Sequence, residues 1–265
     1  MPTSRTAEGS DALAAIAKDP AAALIALDFD GTLAPIVPDP ATSRMAEGGH
    51  AALVALAEAG ARIVIVTGRS AAVVVELGRL ADIPGIVVEG QYGAERWEAG
   101  ELHKPEPVPG IAAVRAALPS VLAEADPGTW VEDKELSLVV HTRRAADPAG
   151  ELERFAPALI ELANTHGLEA GRGRNVVELR PPGIDKGGAL RRVVDQIRPE
   201  VVLFGGDDVG DLPAFEFVAE LRRDGRPGVT VCSASAEAPQ IAELADVVVD
   251  GPAGIVALLE SLLPC

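Results

Sequence analysis

The sequence predicts an α/β fold in which a doubly wound parallel sheet carries an inserted α+β unit. Three observations lead to this prediction. Short apolar runs alternate with helical patterns in the first and last parts of the chain. These runs are shorter than a helix and lack a helical period, as expected for strands buried on both faces. The middle of the chain instead shows neighbouring strand patterns bracketed by proline, which are typical of a small antiparallel sheet.

The first apolar run, residues 22–27, is predicted to be a buried strand because charge rather than helical period bounds it. A short helix over 11–18 precedes this strand, with Ser10 as its cap and Asp19-Pro20 as its end. The elements that follow are predicted in the order helix 46–59, strand 61–66, helix 71–81 and strand 85–88.

A proline-rich segment over 102–109 predicts a semi-rigid linker, and Pro181-Pro182-Gly183 closes the middle segment. The elements predicted between them are helix 111–125, strands 130–133 and 136–142, helix 149–165, and strands 168–172 and 176–180. The alternation then resumes with helix 186–197, strand 201–204, helix 212–222, strand 229–232, helix 239–244, strand 246–249 and helix 255–262. We therefore predict a Rossmann-like core domain from residues 1–105 and 183–265, with a second domain inserted over 106–182.

Composition narrows the class of partner. The chain has 265 residues, is 48% hydrophobic and carries a formal charge of −17, which argues against nucleic acid or an anionic membrane as a partner. Its two cysteines, Cys232 and Cys265, lack metal-ligand spacing and are expected to be free thiols in a reducing compartment. The first twenty residues lack the layout of a secretory signal, and the first apolar run is too short to span a bilayer. We expect a soluble, cytoplasmic monomer.

Polar side chains occur where the predicted strands end or helices begin, and these are Asp28, Asp30, Thr67, Lys186, Asp207, Asp208 and Asp211. Ligands of open α/β sheets bind outside the carboxyl ends of the strands, so these groups are expected to converge there. Five carboxylates at one edge repel one another unless a cation lies among them. Neither His nor Cys accompanies them, which indicates a hard, oxygen-preferring ion such as Mg²⁺.

A carboxylate site with one lysine and one threonine suits phosphoryl transfer. Asp28, at the strand tip, is the candidate nucleophile that forms an aspartyl-phosphate, and Asp30 is the candidate acid and base. Lys186 would neutralise phosphoryl charge, and the hydroxyl and backbone N–H groups around Thr67 would hold phosphate oxygens. Each motif alone has a plainer interpretation as a turn, a cap or a solvated lysine, but their joint occurrence at strand and helix ends favours a site.

In this order, DFDGT, TGRS, the lysine of IDKGGAL and GDDVGD resemble the four motifs of the haloacid dehalogenase superfamily of phosphatases. The resemblance implies Asp28 as the nucleophile and Asp30 as the acid and base. The phosphate-binding group that it implies comprises Thr67, Gly68, Arg69 and Lys186. It also implies Mg²⁺ bound by Asp28, Asp207 and the Asp30 backbone carbonyl, with support from Asp208 and Asp211. The inserted domain lies between the second and third motifs, which implies a mobile cap.

Two segments of the inserted domain, VEDKELSLVVHTR and GRNVVELRPPGIDKGGAL, look like the trehalose-6-phosphate phosphatases of this superfamily, together with GQYGAE on the core. The resemblance implies hydrolysis of trehalose 6-phosphate. The substrate-binding residues expected are Tyr92 and Gly93 on the core, and Lys134, His141, Arg143, Arg172, Arg174 and Glu178 on the inserted domain. A carboxylate accepts hydrogen bonds from sugar hydroxyls and the basic side chains donate to them. The chain has Gly210-Asp211-Leu212 where that family usually has Thr-Asp-Glu, so only the aspartate is retained.

Other interpretations remain open at this point. The same chemistry could act on sucrose phosphate, glucosylglycerol phosphate or mannosylglycerate phosphate. The chain could be a non-catalytic sensor of a sugar phosphate, or a receiver-like phosphoacceptor, although the inserted domain and the second carboxylate at Asp30 disfavour the latter. Within the inserted domain, Arg172 and Arg174 could be solvated turn residues, and His141 could be a strand-end residue bonded to backbone.

Overall fold

The computed structural model describes residues 3–173, 175–234 and 239–263. The chain divides into two compact units, one formed by Met1–Lys104 with Asp185–Cys265 and the other by Pro105–Ile184. The second unit begins one residue earlier and ends two residues later than the predicted inserted domain of residues 106–182. Its part in substrate selection stays a prediction.

The strands are, in chain order, β1 (Ala23–Leu27), β2 (Arg62–Val66), β3 (Val87–Gly90), β4 (Glu95–Glu98), β5 (Glu101–His103), β6 (Trp130–Asp133), β7 (Leu138–His141), β8 (Glu169–Gly173), β9 (Val176–Arg180), β10 (Val201–Gly206), β11 (Gly228–Ser233) and β12 (Val247–Val249). The helices are α1 (Ala7–Lys18), α2 (Gly49–Glu58), α3 (Ala71–Gly78), α4 (Pro109–Val121), α5 (Pro148–Thr165), α6 (Lys186–Ile197), α7 (Leu212–Arg223), α8 (Pro239–Leu244) and α9 (Gly251–Ser261). Within the described ranges, none of these helices combines the length and apolarity needed to cross a bilayer.

The first unit is a mixed sheet with the strand order β12-β11-β10-β1-β2-β3-β4-β5. Every neighbouring pair from β12 to β3 is parallel, whereas β4 and β5 extend the sheet antiparallel at one edge. The central strand β1 is buried along its whole length. Ile25 belongs to the apolar layer that includes α1, α2 and α9, and the adjacent Leu24 belongs to the layer that includes α6 and α7. Helices therefore cover both faces of the sheet, and the predicted α/β fold is confirmed.

The second unit is a four-stranded antiparallel sheet, in the order β6-β7-β9-β8, with α4 and α5 against one face. Alternate residues of β7 and β9 form its apolar core with the helices, as Leu138 and Val140 do on β7 and Val177 and Leu179 do on β9. Because side chains alternate along a strand, the residues between these positions lie on the other face of the sheet. Glu178 is one of them.

The structure corrects several boundaries. The first helix begins at Ala7, and its cap is Thr6, whose side chain accepts from the Gly9 N–H, rather than Ser10. The third strand spans Val87–Gly90 instead of residues 85–88. The hairpin of β4 and β5 was not predicted, and the linker predicted over 102–109 begins inside β5. These edge strands carry charged and partly exposed side chains, so they lack the apolar run that marks a buried strand.

A buried carboxylate joins three elements of the first unit. Asp246 is 2% exposed and accepts hydrogen bonds from the Thr230 backbone N–H on β11 at 2.8 Å and from the Thr6 hydroxyl at the start of α1 at 2.6 Å. It also accepts from Arg222 on α7 at 2.6 Å. Burial alone would raise the pKa of Asp246, but these hydrogen bonds hold it below its usual value.

We expect Asp246→Ala to lower the free energy of unfolding at pH 7 by about 3 kcal/mol, because it leaves buried partners without their carboxylate. A carboxylate with a lowered pKa stabilises the fold above its unfolded pKa and loses that contribution as the pH falls through the folded value. The difference between wild type and variant should therefore shrink as the pH falls below about 4. Urea unfolding across this pH range measures it.

Asp224→Ala, at an exposed aspartate just after α7, is the control and should change the free energy of unfolding by less than about 0.5 kcal/mol. An equal loss for the two variants would show that the buried Asp246 network contributes nothing particular to stability.

Candidate active site

The first acidic loop continues directly from β1. Asp28 donates its backbone N–H to the Gly205 carbonyl at 2.9 Å, so strand pairing extends into the loop. The N–H groups of Leu33 and Ala34 both donate to the Phe29 carbonyl, at 2.9 and 2.8 Å, which folds the chain back on itself. Asp28 is therefore held at the carboxyl edge of the sheet and is 4% exposed.

Two constraints require glycine at position 31. Its φ of 75° lies in the left-handed region, which other residues adopt at a cost. A Cβ at this position would fall 2.0 Å from Oδ2 of Asp207, so only glycine lets that carboxylate approach the loop. The Ser233 hydroxyl donates to the Gly31 carbonyl at 2.6 Å and holds the turn from the end of β11.

A single buried ammonium group joins two of the acidic segments. Lys186 opens α6, where Asp185 caps the helix by accepting from the Gly188 N–H. The Lys186 Nζ lies 2.9 Å from Asp28 Oδ1 and 2.7 Å from Asp211 Oδ1. The other oxygen of Asp211 accepts from the Asp207 N–H at 2.9 Å, so the lysine, the nucleophile candidate and the loop after β10 form one network.

Three buried carboxylates come within reach of one ion. One oxygen from each of Asp28, Asp207 and Asp211 lies within 4.8 Å of the other two. Thr32 donates its hydroxyl to Asp207 at 3.4 Å. When all three carboxylates are ionised, the positive charge of Lys186 offsets one of their negative charges. The two negative charges that remain equal in size the charge of a divalent cation. Carboxylate oxygens are the donors that Mg²⁺ prefers, so the cluster fits this ion. Asp28 and Asp207 are the better placed ligands, because both oxygens of Asp211 already accept hydrogen bonds.

The pKa values of the clustered carboxylates are raised by burial and by one another's charges. Burial, with the charges of Asp211 and Asp208, raises the pKa of Asp207 to about 8. Burial also raises the pKa of Asp28 well above its usual value, although Lys186 opposes this shift. Burial alone would lower the pKa of Lys186, but the neighbouring Asp211 and Asp28 raise it, so the lysine stays charged.

Asp30 and Asp208 have partners outside this cluster. The Asp30 carboxylate accepts from Nε and Nη2 of Arg69 at 2.5 and 2.6 Å. The sequence grouped Arg69 with the phosphate ligands, whereas the structure places its guanidinium on a carboxylate. The exposed Asp208 side chain accepts from the Gly210 N–H at 2.8 Å and caps the turn before α7, and its predicted support of the metal stays a prediction. The metal ligand predicted at Asp30 is its backbone carbonyl, which stays a prediction.

The predicted phosphate loop, residues 67–70, opens at the same sheet edge, because β2 lies beside β1. Thr67 is 1% exposed and donates its N–H to the Glu89 carbonyl at 3.0 Å. Its hydroxyl accepts from the Arg69 N–H at 3.1 Å, which fixes the turn through Gly68. The candidate nucleophile and the predicted phosphate loop therefore follow neighbouring strands.

Tyr92 and Gly93 follow β3, the next strand along the sheet. The Tyr92 ring packs against the phosphate loop, since a Cβ on Gly68 would fall 2.7 Å from the ring. The Gly93 carbonyl accepts from Arg192 of α6 at 2.6 Å. The structure thus brings Tyr92 to the phosphate loop and Gly93 to α6.

In the second unit, Glu178 lies at the centre of a polar cluster on the sheet face away from the helices. It is 6% exposed and accepts from the Ser137 hydroxyl at 2.7 Å and from Lys134 Nζ at 3.3 Å. Arg180 lies 3.8 Å from its other oxygen. Two of the predicted substrate residues, Lys134 and Glu178, are therefore in direct contact.

His141 is engaged within the second unit. Its ring stacks on Trp130, with centroids 4.5 Å apart and an angle of 3° between the planes. Its Nε2 lies 2.9 Å from a Glu132 carboxylate oxygen. Arg143 is exposed just beyond the end of β7, and the predicted Arg174 lies outside the described residues. His141 is therefore held by Trp130 and Glu132, and contact of His141 and Arg143 with the substrate stays a prediction.

The grouping of Arg172 with Glu178 is corrected by the sheet register. Arg172 is the cross-strand partner of Val177, whose side chain belongs to the apolar core beneath the helices. Its guanidinium pairs with Glu153 of α5. Because adjacent residues of a strand point to opposite faces, Arg172 and Glu178 lie on opposite faces of this sheet.

Two hydroxyl residues at these sites were not predicted to have a role. Thr32 orients Asp207, and its place directly after Gly31 in the DFDGT motif was the available signal. Ser137 donates to Glu178 from the residue before β7, where a lone serine gives no signal in a single sequence.

Comparison with known proteins identifies a common family. The sequence model of the trehalose-phosphatase family matches residues 26–250. A trehalose-phosphate phosphatase of Mycobacterium marinum is 36% identical over 203 residues, which cover 72% of this chain and 50% of that protein. The chain spans about half the length of the curated relatives it matches.

Solved structures of similar proteins share the fold. A trehalose-6-phosphate phosphatase related protein superposes with a TM-score of 0.69 at 26% identity, over 89% of this chain and 95% of that one. The C-terminal domain of trehalose-6-phosphate phosphatase from C. albicans gives a TM-score of 0.78 at 21% identity, over 99% of this chain and 98% of that one.

We expect Mg²⁺ to bind more tightly as the pH rises from 6 to 8, because the ion competes with protons on the buried carboxylates. A carboxyl group with a raised pKa destabilises the folded state as the pH rises from its unfolded value, near 4, through its folded value, about 8 for Asp207. The metal-free protein should therefore lose melting temperature over this range, and Mg²⁺ should restore more of it at pH 8 than at pH 6. Differential scanning calorimetry with and without Mg²⁺ measures both effects.

Asp207→Asn removes one of these charges and is expected to abolish most of the Mg²⁺-dependent rise in melting temperature. Asp195→Asn, at an exposed aspartate of α6, is the control and should retain it. If the Mg²⁺-dependent rise in melting temperature is the same at both pH values, or persists in Asp207→Asn, the ion binds outside the buried acidic cluster.

Proposed function

The chain belongs to the trehalose-phosphatase family, and we propose that it is a Mg²⁺-dependent phosphatase that hydrolyses trehalose 6-phosphate to trehalose and phosphate. The predicted membership of the haloacid dehalogenase superfamily is thereby confirmed. The family supports the substrate, and the site at the sheet edge supports the reaction.

The observation that carries the proposed reaction is the contact of Lys186 with Asp28. The ammonium group lies 2.9 Å from Asp28 Oδ1 in a site where both side chains are less than 7% exposed. A phosphate dianion approaching an ionised carboxylate meets repulsion, and a fixed positive charge beside the nucleophile reduces it. A buried lysine held between two carboxylates supplies such a charge without rearrangement.

In the first step, a carboxylate oxygen of Asp28 attacks phosphorus, and the bond from phosphorus to the sugar oxygen breaks. The leaving oxygen takes a proton from Asp30, whose side chain is 35% exposed. Thr67 and the backbone of Gly68 bind the remaining phosphoryl oxygens, and Lys186 offsets their charge. The product of this step is an aspartyl-phosphate at Asp28.

In the second step, a water molecule gives its proton to Asp30 and attacks the same phosphorus, and the bond to the Asp28 oxygen breaks. Inorganic phosphate leaves, Asp28 is restored as a carboxylate and Asp30 is protonated for the next turnover. Arg69 holds the Asp30 carboxylate through two hydrogen bonds and so fixes where the proton is delivered and taken up. Mg²⁺ held by Asp28 and Asp207 would supply positive charge to the transferring phosphoryl group.

We assign recognition of the sugar to the polar cluster of Lys134, Ser137 and Glu178. Glu178 is buried and already ordered by two donors, which limits the entropy lost when sugar hydroxyls bind. A site built from such donors and acceptors rejects analogues that lack the matching hydroxyl. Arg172 is left out because it lies on the other face of the sheet.

We propose that the protein is a cytoplasmic monomer. Cys232 is a buried free thiol, as expected, and Cys265 lies outside the described residues. A second candidate function, the same hydrolysis on another disaccharide or glycosyl phosphate, is kept because Glu178 and Lys134 would bind hydroxyls of other sugars as well. A phosphate-release assay separates the two.

Wild-type protein with Mg²⁺ should release phosphate from trehalose 6-phosphate faster than from sucrose phosphate, glucosylglycerol phosphate or mannosylglycerate phosphate. Asp28→Asn should lower kcat at least roughly a thousandfold, because the amide oxygen is a poor nucleophile. Similar rates on all four substrates would contradict the choice of trehalose 6-phosphate. Substantial activity in Asp28→Asn would contradict the assigned nucleophile, and binding without turnover in the wild type would favour a sensor.

We expect Glu178→Ala to lower kcat/KM for trehalose 6-phosphate by roughly a hundredfold and that for p-nitrophenyl phosphate by less than about threefold. The aryl phosphate carries no sugar hydroxyls, so its kcat/KM measures phosphoryl transfer without any contact between Glu178 and a sugar. Glu178→Gln keeps the shape of the buried side chain, so it provides a folded variant for the same assay if Glu178→Ala misfolds.

Glu161→Ala, at an exposed glutamate of α5, is the matched control and should change neither substrate. Equal losses on both substrates in Glu178→Ala would mean that this cluster does not bind the sugar.

A further inference from the structure

The turn after β3 has an unusual backbone. Gln91, Tyr92 and Gly93 have φ values of 47°, 60° and 89°, so three consecutive residues adopt the left-handed region. Two of them are not glycine and carry a conformational cost that their surroundings must offset. Such strain persists where neighbouring contacts hold it, and it is most informative beside a candidate site.

The turn is bonded along its length to the phosphate loop. The Gln91 N–H donates to the Arg69 carbonyl at 2.8 Å, and the Tyr92 N–H donates to the Thr67 carbonyl at 2.8 Å. The Tyr92 ring covers Gly68. A shift of this turn would therefore move the backbone of the phosphate loop with it.

Arg192 holds the turn from α6, the helix that Lys186 opens. Its Nη2 donates to the Gly93 carbonyl at 2.6 Å and lies 3.7 Å from the buried Glu89 at the end of β3. The helix lies so close that a Cβ on Gly93 would fall 2.6 Å from the Cβ of Ala189. Arg192 therefore ties the strained turn to the helix that carries the phosphate-binding lysine.

Glu95 holds the other end of the phosphate loop. It lies on β4, is 4% exposed, and its Oε1 accepts the N–H of Ala71 at 2.5 Å. Ala71 is the first residue of α3, directly after the loop. A carboxylate at a helix N-terminus accepts a hydrogen bond from an N–H group that has no partner within the helix. Its negative charge also interacts favourably with the helix dipole. The phosphate loop is thus held along its length by the backbone N–H groups and the Tyr92 ring of the turn, and at its end by the Glu95 side chain.

We propose that Arg192 and Glu95 are positioning residues that set the geometry of the phosphate loop, through the strained turn and through the start of α3. The proposal rests on the proposed function, in which Thr67 and Gly68 bind phosphoryl oxygens. Neither residue touches the reacting atoms. Their loss should weaken binding of any phosphate monoester, whatever its alcohol, because the loop contacts only the phosphoryl group.

The test measures KM and kcat for p-nitrophenyl phosphate, and the inhibition constant of inorganic phosphate, at saturating Mg²⁺. We expect Arg192→Ala to raise KM and the phosphate inhibition constant by roughly tenfold, with a smaller fall in kcat. Arg192→Lys keeps a donor and a positive charge and should recover part of the loss. Unchanged phosphate inhibition in Arg192→Ala would overturn the role of Arg192.

Arg191→Ala is the matched control. Arg191 is the preceding residue of α6, its side chain is 51% exposed against 56% for Arg192, and it pairs with Glu220 of α7 instead of the turn. It should lose as much melting temperature as Arg192→Ala while leaving KM and phosphate inhibition unchanged. Equal kinetic changes in the two variants would show a merely structural role.

Glu95 is tested by a conservative pair. Glu95→Gln retains an oxygen that can accept from Ala71 and should stay close to wild type in phosphate inhibition, whereas Glu95→Ala should weaken it roughly tenfold. If Glu95→Ala does not fold, Glu95→Gln alone decides. A roughly tenfold weakening of phosphate inhibition in folded Glu95→Gln would show that the charge of Glu95 matters rather than its hydrogen bond to Ala71, and would contradict the proposed geometry. A wild type without phosphatase activity would instead reject the proposed function, and phosphate binding by calorimetry would still report on the loop.

Discussion

The buried ammonium of Lys186 cannot by itself balance the carboxylates that surround it. It contacts Asp28 and Asp211, and Asp207 lies within the same small volume. Isolated charges in such a setting are costly, and the raised pKa of Asp207, about 8, expresses that cost as a tendency to stay protonated. A bound divalent cation would resolve the conflict and leave the carboxylates ionised. We therefore propose that ionisation of Asp28, the candidate nucleophile, is coupled to binding of the ion.

The fold brings these groups together by placing each of them in the same position relative to a strand of the sheet. Asp28, Thr67 and Asp207 each follow the carboxyl end of a parallel strand, and β1, β2 and β10 are neighbours in the sheet. Glycine at position 31 removes the side chain that would keep the loops after β1 and β10 apart. The phosphate loop is then fixed from outside by the turn after β3 and by Glu95 of β4. The antiparallel edge of the sheet thus supports a site built on its parallel centre.

Sequence reasoning succeeded where one residue type has one strong physical consequence. Apolar runs followed by carboxylates predicted the central strands and the acidic residues at their ends, because both signals are local. It failed for the hairpin of β4 and β5, whose charged edge strands resemble a loop, and therefore for Glu95, whose partner at Ala71 is distant in sequence. The face on which Arg172 lies depends on strand register, which the pattern around it does not fix. Likewise, the partners of Arg69 and His141 are set by tertiary contacts that residue type alone does not specify.

The most direct measurement is anomalous diffraction from crystals of the wild-type protein grown with Mn²⁺ in place of Mg²⁺. We expect one strong peak at the acidic cluster, within bonding distance of carboxylate oxygens from both Asp28 and Asp207, and no such peak in Asp207→Asn crystals. A cluster without a peak at saturating Mn²⁺, with Asp28 and Asp207 contacting only protein groups, would contradict the coupling of metal and nucleophile.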